Sequence, residues 1–500
     1  MKFKRFLCAF LASLMVVGTM AACATADEEQ PEDSKSTEAA TEGETVLRDN
    51  LPGNLDYSGA EITIISRDME GWTRGEVSVD GLNGDPVNDA VYERNKSVES
   101  RLNIKFNSIL EKTTGSGDVP NKVVTSVKAG TGEYDLMAAA SYTTFNHTIS
   151  GNFVNLKNLE FLDLEQPWWT QGLNEAVEYE GMQFMATGSI LLSIYRFAFV
   201  TVFNKDLFTD ANQPFLYDTV EAGLWTLDKQ ASLVPLFYQD DGDGVQEAEG
   251  DIYGFISSNL ISTDAYWSAC ELDIIRKDSD GDLEVVMDTD KIHAATDKIL
   301  ALYYGTDGGS YILSAYGSDS EQDDIRNMFS QGQGAMATLR IMALENSVMR
   351  KMEQEYGVIP MPKFDAEQKD YHTLLHDQFT VVAIPTTVTG ERLEMMGAVL
   401  EAMASASYRI VKPVYYEQTL RTKIASDPQS ALMMDIITEG IYIDLGIIYV
   451  DCGVHAGLRA MVQSKTNNTS SRFKSIIKGT ENRMKGMKKK LDKLVGQQAS

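Results

Sequence analysis

Three features of the sequence predict an α/β fold. Glu61-Ile62-Thr63-Ile64-Ile65-Ser66 is rich in β-branched residues, and Asn103 to Ile109 alternates, so both read as strands. Between them, Asn83-Gly84-Asp85-Pro86 is turn chemistry leading into a helix, with Asp85 as N-cap and Pro86 at the first helical position. Val87, Ala90, Val91, Val98 and Leu102 then recur near helical spacing. Strand, helix, strand in this order makes a parallel unit with a right-handed crossover.

The same alternation of elements continues along the chain. Tyr134 to Ala140, Phe197 to Phe203 and Val381 to Ile384 are further strand candidates, with helices between them. Ser426-Asp427-Pro428 opens a late helix that Gly440 closes. Arg472 to Leu494 is basic and helical in composition, with Lys485, Lys488, Lys489 and Lys490 close together. It reads as an amphipathic surface helix; the sharper alternative is a docking face for an acidic partner. No internal repeat is visible.

At 500 residues the chain is too long for one ordinary core, so several domains are expected. Lysine and arginine number 44 against 73 acidic residues, a net charge of −29. A nucleic-acid binder needs a basic surface to displace counterions, so that class is excluded. The 5 histidines are scattered and form no HExxH motif, which argues against a zinc enzyme. With 4 cysteines the chain is not a disulfide scaffold.

The N-terminus reads as an address. Lys2, Lys4 and Arg5 precede an apolar stretch from Phe6 to Val17, the layout of a secretory signal. Met20-Ala21-Ala22-Cys23 resembles the bacterial lipobox, in which the cysteine is acylated and becomes the mature N-terminus. Residues from Ala24 to about Arg48 are acidic and small, with no aromatic, and read as a solvated tether. Cys8 lies in the signal, which leaves Cys270 and Cys452 either to pair or to stay as buried thiols. No later segment is apolar and long enough to span a bilayer.

Several segments together resemble a known family. They are Asp85-Pro86-Val87-Asn88-Asp89-Ala90-Val91-Tyr92-Glu93-Arg94-Asn95, Ala129-Gly130 with Tyr134-Asp135-Leu136, Trp168-Trp169, and the stretch Gly181 to Gly188. Phe203-Asn204-Lys205-Asp206-Leu207, Phe329-Ser330-Gln331-Gly332-Gln333-Gly334-Ala335-Met336 and Tyr356 to Pro362 complete the set. In order and spacing they resemble the extracellular solute-binding proteins of bacterial ABC importers, of the large carbohydrate type, over about residues 51 to 480. The resemblance implies two α/β lobes joined by a multi-strand hinge, the type II periplasmic-binding-protein-like arrangement, with the ligand in a cleft between lobes. The expected divisions are a signal peptide over 1–22, a lipid-anchored tether over 23–50, lobe one over 51–200, lobe two over 201–360, a return to lobe one over 361–410, and C-terminal helices on lobe two over 411–500. The chain should cross between lobes near 195–205, near 360 and near 410. The implied protein is a monomer on the outer face of the cytoplasmic membrane, held by its N-terminal lipid, which takes a small-molecule solute and delivers it to ABC permease subunits. It performs no chemistry and requires no cofactor.

A sugar site needs flat aromatic faces and planar polar side chains. Trp72 follows the first strand, in a loop with Arg67, Asp68 and Glu70, where lobe one should meet the cleft. Trp169 is the second lobe-one candidate, and Tyr266-Trp267 are the candidates from lobe two. Trp225 precedes Thr226, a helix N-cap, and reads as core. After Ala335-Met336 the family's best-known sugar receptors carry an aromatic; here Arg340 is the candidate instead, a departure that unsettles any maltose-type specificity. His376-Asp377-Gln378 is a hinge-side candidate, with Asp377 as its ligand-binding residue; a satisfied structural network is the alternative.

Gln239-Asp240-Asp241-Gly242-Asp243-Gly244 looks like half a calcium loop, with Asp241, Asp243 and Glu247 as candidate ligands. Position twelve falls on Gly250 rather than a bidentate glutamate, with Glu249 or Asp251 nearby, and a plain acidic turn is the alternative. Asp278-Ser279-Asp280-Gly281-Asp282 reads as a hairpin turn. Two other functions compete: the same fold holding a peptide or another solute, and a secreted glycosidase using two of the carboxylates. No nucleophile elbow or metal-ligand cluster favours an enzyme.

Overall fold

The computed structural model describes residues 47–247, 250–314, 320–421, 428–449 and 453–498. Cys23, Glu249 and Cys452 therefore lie outside the described residues. Among the described residues the strands, in chain order, are β1 (Ala60–Arg67), β2 (Ile104–Glu111), β3 (Leu136–Ala140), β4 (Phe199–Asn204), β5 (Phe255–Ser258) and β6 (Ile275–Lys277). They continue with β7 (Leu283–Val285), β8 (Ser310–Leu313), β9 (Met336–Arg340), β10 (Tyr356–Ile359) and β11 (Thr380–Ala383).

Two sheets define two lobes. The first has the order β11-β3-β1-β2, with β1 parallel to β2 from Ala60–Ile104 to Arg67–Glu111 and β11 antiparallel on β3. The second has the order β10-β4-β9-β5-β8, parallel among β8, β5 and β9 and antiparallel across β4 and β10. β6 and β7 form a separate hairpin, whose turn is held by Asp278 accepting from the N–H groups of Asp280 and Asp282.

The first strand–helix–strand unit forms for the local reasons its sequence gives. Asp85 accepts from the N–H groups of Val87 and Asn88, and Asn103 closes the helix Pro86–Leu102 in a left-handed conformation. Side chains alternate across the first sheet. Ile62, Ile64, Leu136 and Ala138 pack with Met396, Val399 and Met403 of the helix Glu391–Arg421, and Ile65, Met137 and Ala139 pack on the other side with Val119, Val123 and Phe145.

The crossings differ from expectation in two places. The first runs at residues 195–198, and the second follows it antiparallel: Phe199 N–H donates to the Leu374 carbonyl at 3.1 Å and His376 N–H to the Phe197 carbonyl at 3.0 Å. The second crossing thus lies near 374–379, not near 360. Lys363 still pairs with lobe two through Trp225, and Gln368 donates to the Ala269 carbonyl. The strand β10 marks the end of a sheet strand, and the chain then wraps lobe two before leaving it. The third crossing is a helix rather than a strand. Glu391–Arg421 is continuous over 31 residues, with its first half in lobe one and Val411 and Tyr415 in the other cluster.

The body also begins earlier than the expected tether boundary. Asp49 is gripped by Arg101 at 2.7 Å and approached by Ser405, so residues 49 and 50 belong to lobe one. The basic helix Thr469–Gln498 buries Phe473, Met487 and Leu491, ties Lys488 to Asp282, and leaves Lys485, Lys489 and Lys490 exposed. No described helix is long and apolar enough to cross a membrane.

Candidate ligand cleft

The loop after β1 reaches the hinge because two buried side chains pull it there. Glu76 accepts from the Ser193 N–H at 3.0 Å and from the Thr380 hydroxyl. Arg94, fully buried in the first helix, donates to the carbonyls of Val77 at 2.5 Å and Ile190 at 3.0 Å and to the Ser407 hydroxyl at 2.9 Å. Trp72 is thereby laid against the crossings. Its ring meets Phe197 at 5.2 Å and His376 at 5.3 Å, both edge to face. From lobe two, the Arg340 guanidinium at the end of β9 lies 4.8 Å from the Trp72 ring centroid.

Trp72 and Arg340 thus meet across the lobes, lining a cavity of about 390 Å³ with Gln322, Arg326 and Glu345. Its acidic neighbours are already engaged: Asp323 with Arg326, Glu70 with Arg74, and Glu345 with Arg196 and the Tyr415 hydroxyl. Arg67, at the carboxyl end of β1, is 3% exposed. Ligands of open α/β sheets sit beyond such strand ends. Asp377 is half exposed, with its carboxylate 3.3 Å from His376 Nδ1, and lines a separate cavity with Ser141, Leu374 and Tyr442 rather than the one at Trp72.

The other candidates lie elsewhere. Trp169 is 2% exposed in the core of lobe one, where Trp168 and Trp169 each donate their indole N–H to Glu401 at 3.1 Å. The pair's backbone is fixed by close packing, since a Cβ at Gly188 would stand 2.1 Å from the Trp168 carbonyl oxygen. Tyr266 and Trp267 are also core rather than cleft wall. They sit on the helix Ile261–Ala269, buried from Ser262 onward, with Trp267 stacked on Phe473 at 5.8 Å and Tyr266 edge-on to Tyr303 at 6.0 Å. Trp225 is core, as its sequence context predicts, with its indole donating to the Pro360 carbonyl.

Glu401 carries a pH signature. Burial pushes its carboxyl up to about 7 from 4.5, against the hydrogen bonds that favour the charged form. The folded state therefore binds this proton more tightly than the unfolded chain, so its contribution to stability is full below pH 4.5 and is lost as pH rises through about 7. Asp444, buried and raised to about 7, adds in the same direction. Denaturant melts at pH 5 and pH 8 should show the wild type losing stability with rising pH and Glu401→Gln losing less; an equal loss in both would remove Glu401 as a cause.

In the acidic turn, Asp240, Asp241 and Asp243 bring carboxylate oxygens within 4.8 Å of one another. Asp240 thus stands where Glu247 was expected. The loop bonds itself: Asp240 accepts from Gly242 and Gly244, Asp241 from Asp243, and Asp243 from Val245. Asp251 accepts from the Asp241 N–H and from the Tyr253 hydroxyl.

Two residues near the cleft were not legible as candidates. His455 and Arg459, one helical turn apart, both face Asp264, at 3.7 Å and 3.0 Å. The remaining described cysteine, Cys270, is buried, and its thiol is pushed up to about 12.

No protein-family model matches the chain, and no curated protein matches it. Solved structures do. An ABC substrate-binding protein of Listeria monocytogenes in complex with cycloalternan is 13% identical, covers 87% of this chain and 99% of its own, and superposes with a TM-score of 0.52. A sugar transporter protein of Rhizobium etli, in an open conformation, is 12% identical over 84% of this chain and 99% of its own, with a TM-score of 0.54. UgpB of Mycobacterium tuberculosis, in complex with glycerophosphocholine, is 15% identical over 84% and 99%, with a TM-score of 0.50. The chain has the two-lobed α/β fold of the substrate-binding proteins of ABC importers.

Proposed function

We propose that the chain is the solute-binding component of a bacterial ABC importer, taking a sugar or oligosaccharide between its lobes and handing it to permease subunits. The observation that carries this reading is the meeting of Trp72 from lobe one with Arg340 from lobe two, beside the first two crossings. A solute seated there touches both lobes only when they are closed, so its differential affinity favours the closed form. The fold-mates crystallised with cycloalternan and named as a sugar transporter support a saccharide. The complex with glycerophosphocholine supports a second reading, a phosphate-bearing solute.

The chain acts on this reading as a receptor and not an enzyme, and recovery of the intact saccharide after binding is the check against a glycosidase. A thermal-shift screen of mono- and oligosaccharides should find a ligand that raises the melting temperature, with scattering showing compaction. A screen in which no solute does either would sink the proposal. No cofactor is required. Calcium at Asp240, Asp241 and Asp243 would stabilise the native state, so EDTA would then lower the melting temperature and Asp243→Ala would abolish that sensitivity.

Anchoring is assigned to Cys23, on the lipobox-like Met20-Ala21-Ala22-Cys23. Cys23→Ala should release the protein from the membrane or leave the signal uncleaved. A variant still membrane-bound after normal processing overturns the anchor and the location on the outer face of the cytoplasmic membrane.

A further inference from the structure

The protein carries a net charge of −29, yet an arginine with no ion-pair partner among the described residues is buried at the carboxyl end of β1. Arg67 is 3% exposed, and among the described residues its Nε and Nη1 have no hydrogen-bond partner. Its Nη2 reaches only the Met69 sulfur at 2.9 Å, a weak acceptor, and no described carboxylate is within salt-bridge distance. Leaving a charged donor buried without an acceptor costs several kcal/mol of desolvation. A fold keeps such a group when something else supplies the acceptor.

Basic side chains from both lobes converge on this region. His376, whose ring packs on Trp72, is held well below its usual range by burial and then by Arg340, Arg67, His455 and Arg459. The acids that face this cluster are Asp377, Asp264, Glu321, Glu76 and, toward Arg67, Asp118, while Glu70, Asp323 and Glu345 line the cavity and are each paired with an arginine. Asp264 is already shared by His455 and Arg459. Glu321, in the field of Arg340, and Glu76, in that of Arg67, are both pushed toward the neutral form by burial. Asp377 is half exposed to solvent.

We propose that the solute bears a carboxylate or phosphate group, bound between Arg67 at the end of β1 and Arg340 at the end of β9, so that the receptor selects acidic over neutral saccharides. This rests on the receptor reading above and narrows its substrate class. Guanidinium forks match both anions bidentately. The Trp72 ring packs against that fork, its centroid 4.8 Å from the guanidinium carbon. An oligouronide and a sugar phosphate share this chemistry.

The test pairs each anion with its neutral counterpart on the full chain: galacturonate and digalacturonate against galactose and digalactose, and glucose 6-phosphate against glucose. Calorimetry should show at least one anionic member binding at least a hundredfold tighter than its partner. A uronate preference assigns a carboxylate, and a phosphate preference assigns a phosphate ester. Arg67→Met should abolish the preference without lowering the ligand-free melting temperature, since an apolar isostere relieves a buried charge. Neutral members binding as well as their anionic partners would overturn the proposal and leave the sugar receptor standing. A chain that binds neither kind overturns the receptor reading itself.

Discussion

Arg94→Ala should destabilise the folded protein by about 3–5 kcal/mol, the scale for stripping a buried charged donor from several acceptors. The side chain is fully buried, and its loss takes the donor from the Ile190 carbonyl, leaves the Val77 carbonyl with Asn95 alone, and opens a cavity at the Ser407 hydroxyl. Arg94→Lys should not rescue it, because an ammonium has no planar fork to serve acceptors on three separate segments. Urea melts of the ligand-free protein make the measurement. A loss below 1 kcal/mol would mean that the loop carrying Trp72 is held by Glu76 alone. In the wild type both residues grip that loop, so Arg94→Ala should also weaken solute binding.

Trp72→Ala should weaken solute binding ten- to a hundredfold, about 1.4–2.8 kcal/mol. The ring forms the lobe-one wall of the cavity and supports Arg340 from beneath at 4.8 Å. Because it also packs on Phe197 and His376, the ligand-free melting temperature should fall modestly. Trp72→Phe should recover part of both. Normal affinity with a much earlier melt would make Trp72 a packing residue and remove it from the site.

What the sequence discloses follows from how local each signal is. The unit from β1 through Pro86–Leu102 to β2 is read nearly to its ends, because Asp85, Pro86 and the apolar spacing act within one turn. Trp72 is a candidate because it follows the end of β1, where a cleft must be, and Arg340 because it stands just after Ala335-Met336, where the resembled family carries an aromatic. Trp169 was misplaced because the acceptor that lets it sink into the core, Glu401, is 232 residues away. Tyr266 and Trp267 were misplaced for a related reason: their helix is covered on its far side by the C-terminal helices, whose docking leaves no local trace. His455 and Arg459 gave a signal, two cationic side chains four apart on an amphipathic helix, but nothing in sequence ties that face to Asp264. The resemblance implies a second crossing near 360, where β10 ends, while the chain's detour around lobe two is a tertiary matter.

The long helix Glu391–Arg421 limits how the cleft can open. A helix has a fixed rise of about 1.5 Å per residue and resists stretching, so it acts as a strut between the lobes. Two extended segments lie beside it at the hinge, where Tyr195 stacks on Tyr415 of the strut at 5.4 Å. Lobes tied in this way cannot slide past one another; they can only swing. Pro413 lies inside the helix and withholds a donor from the Arg409 carbonyl, so flexing concentrates in that turn. Opening is thereby reduced to one angular coordinate, and tilting one lobe about that turn would part Trp72 from Arg340.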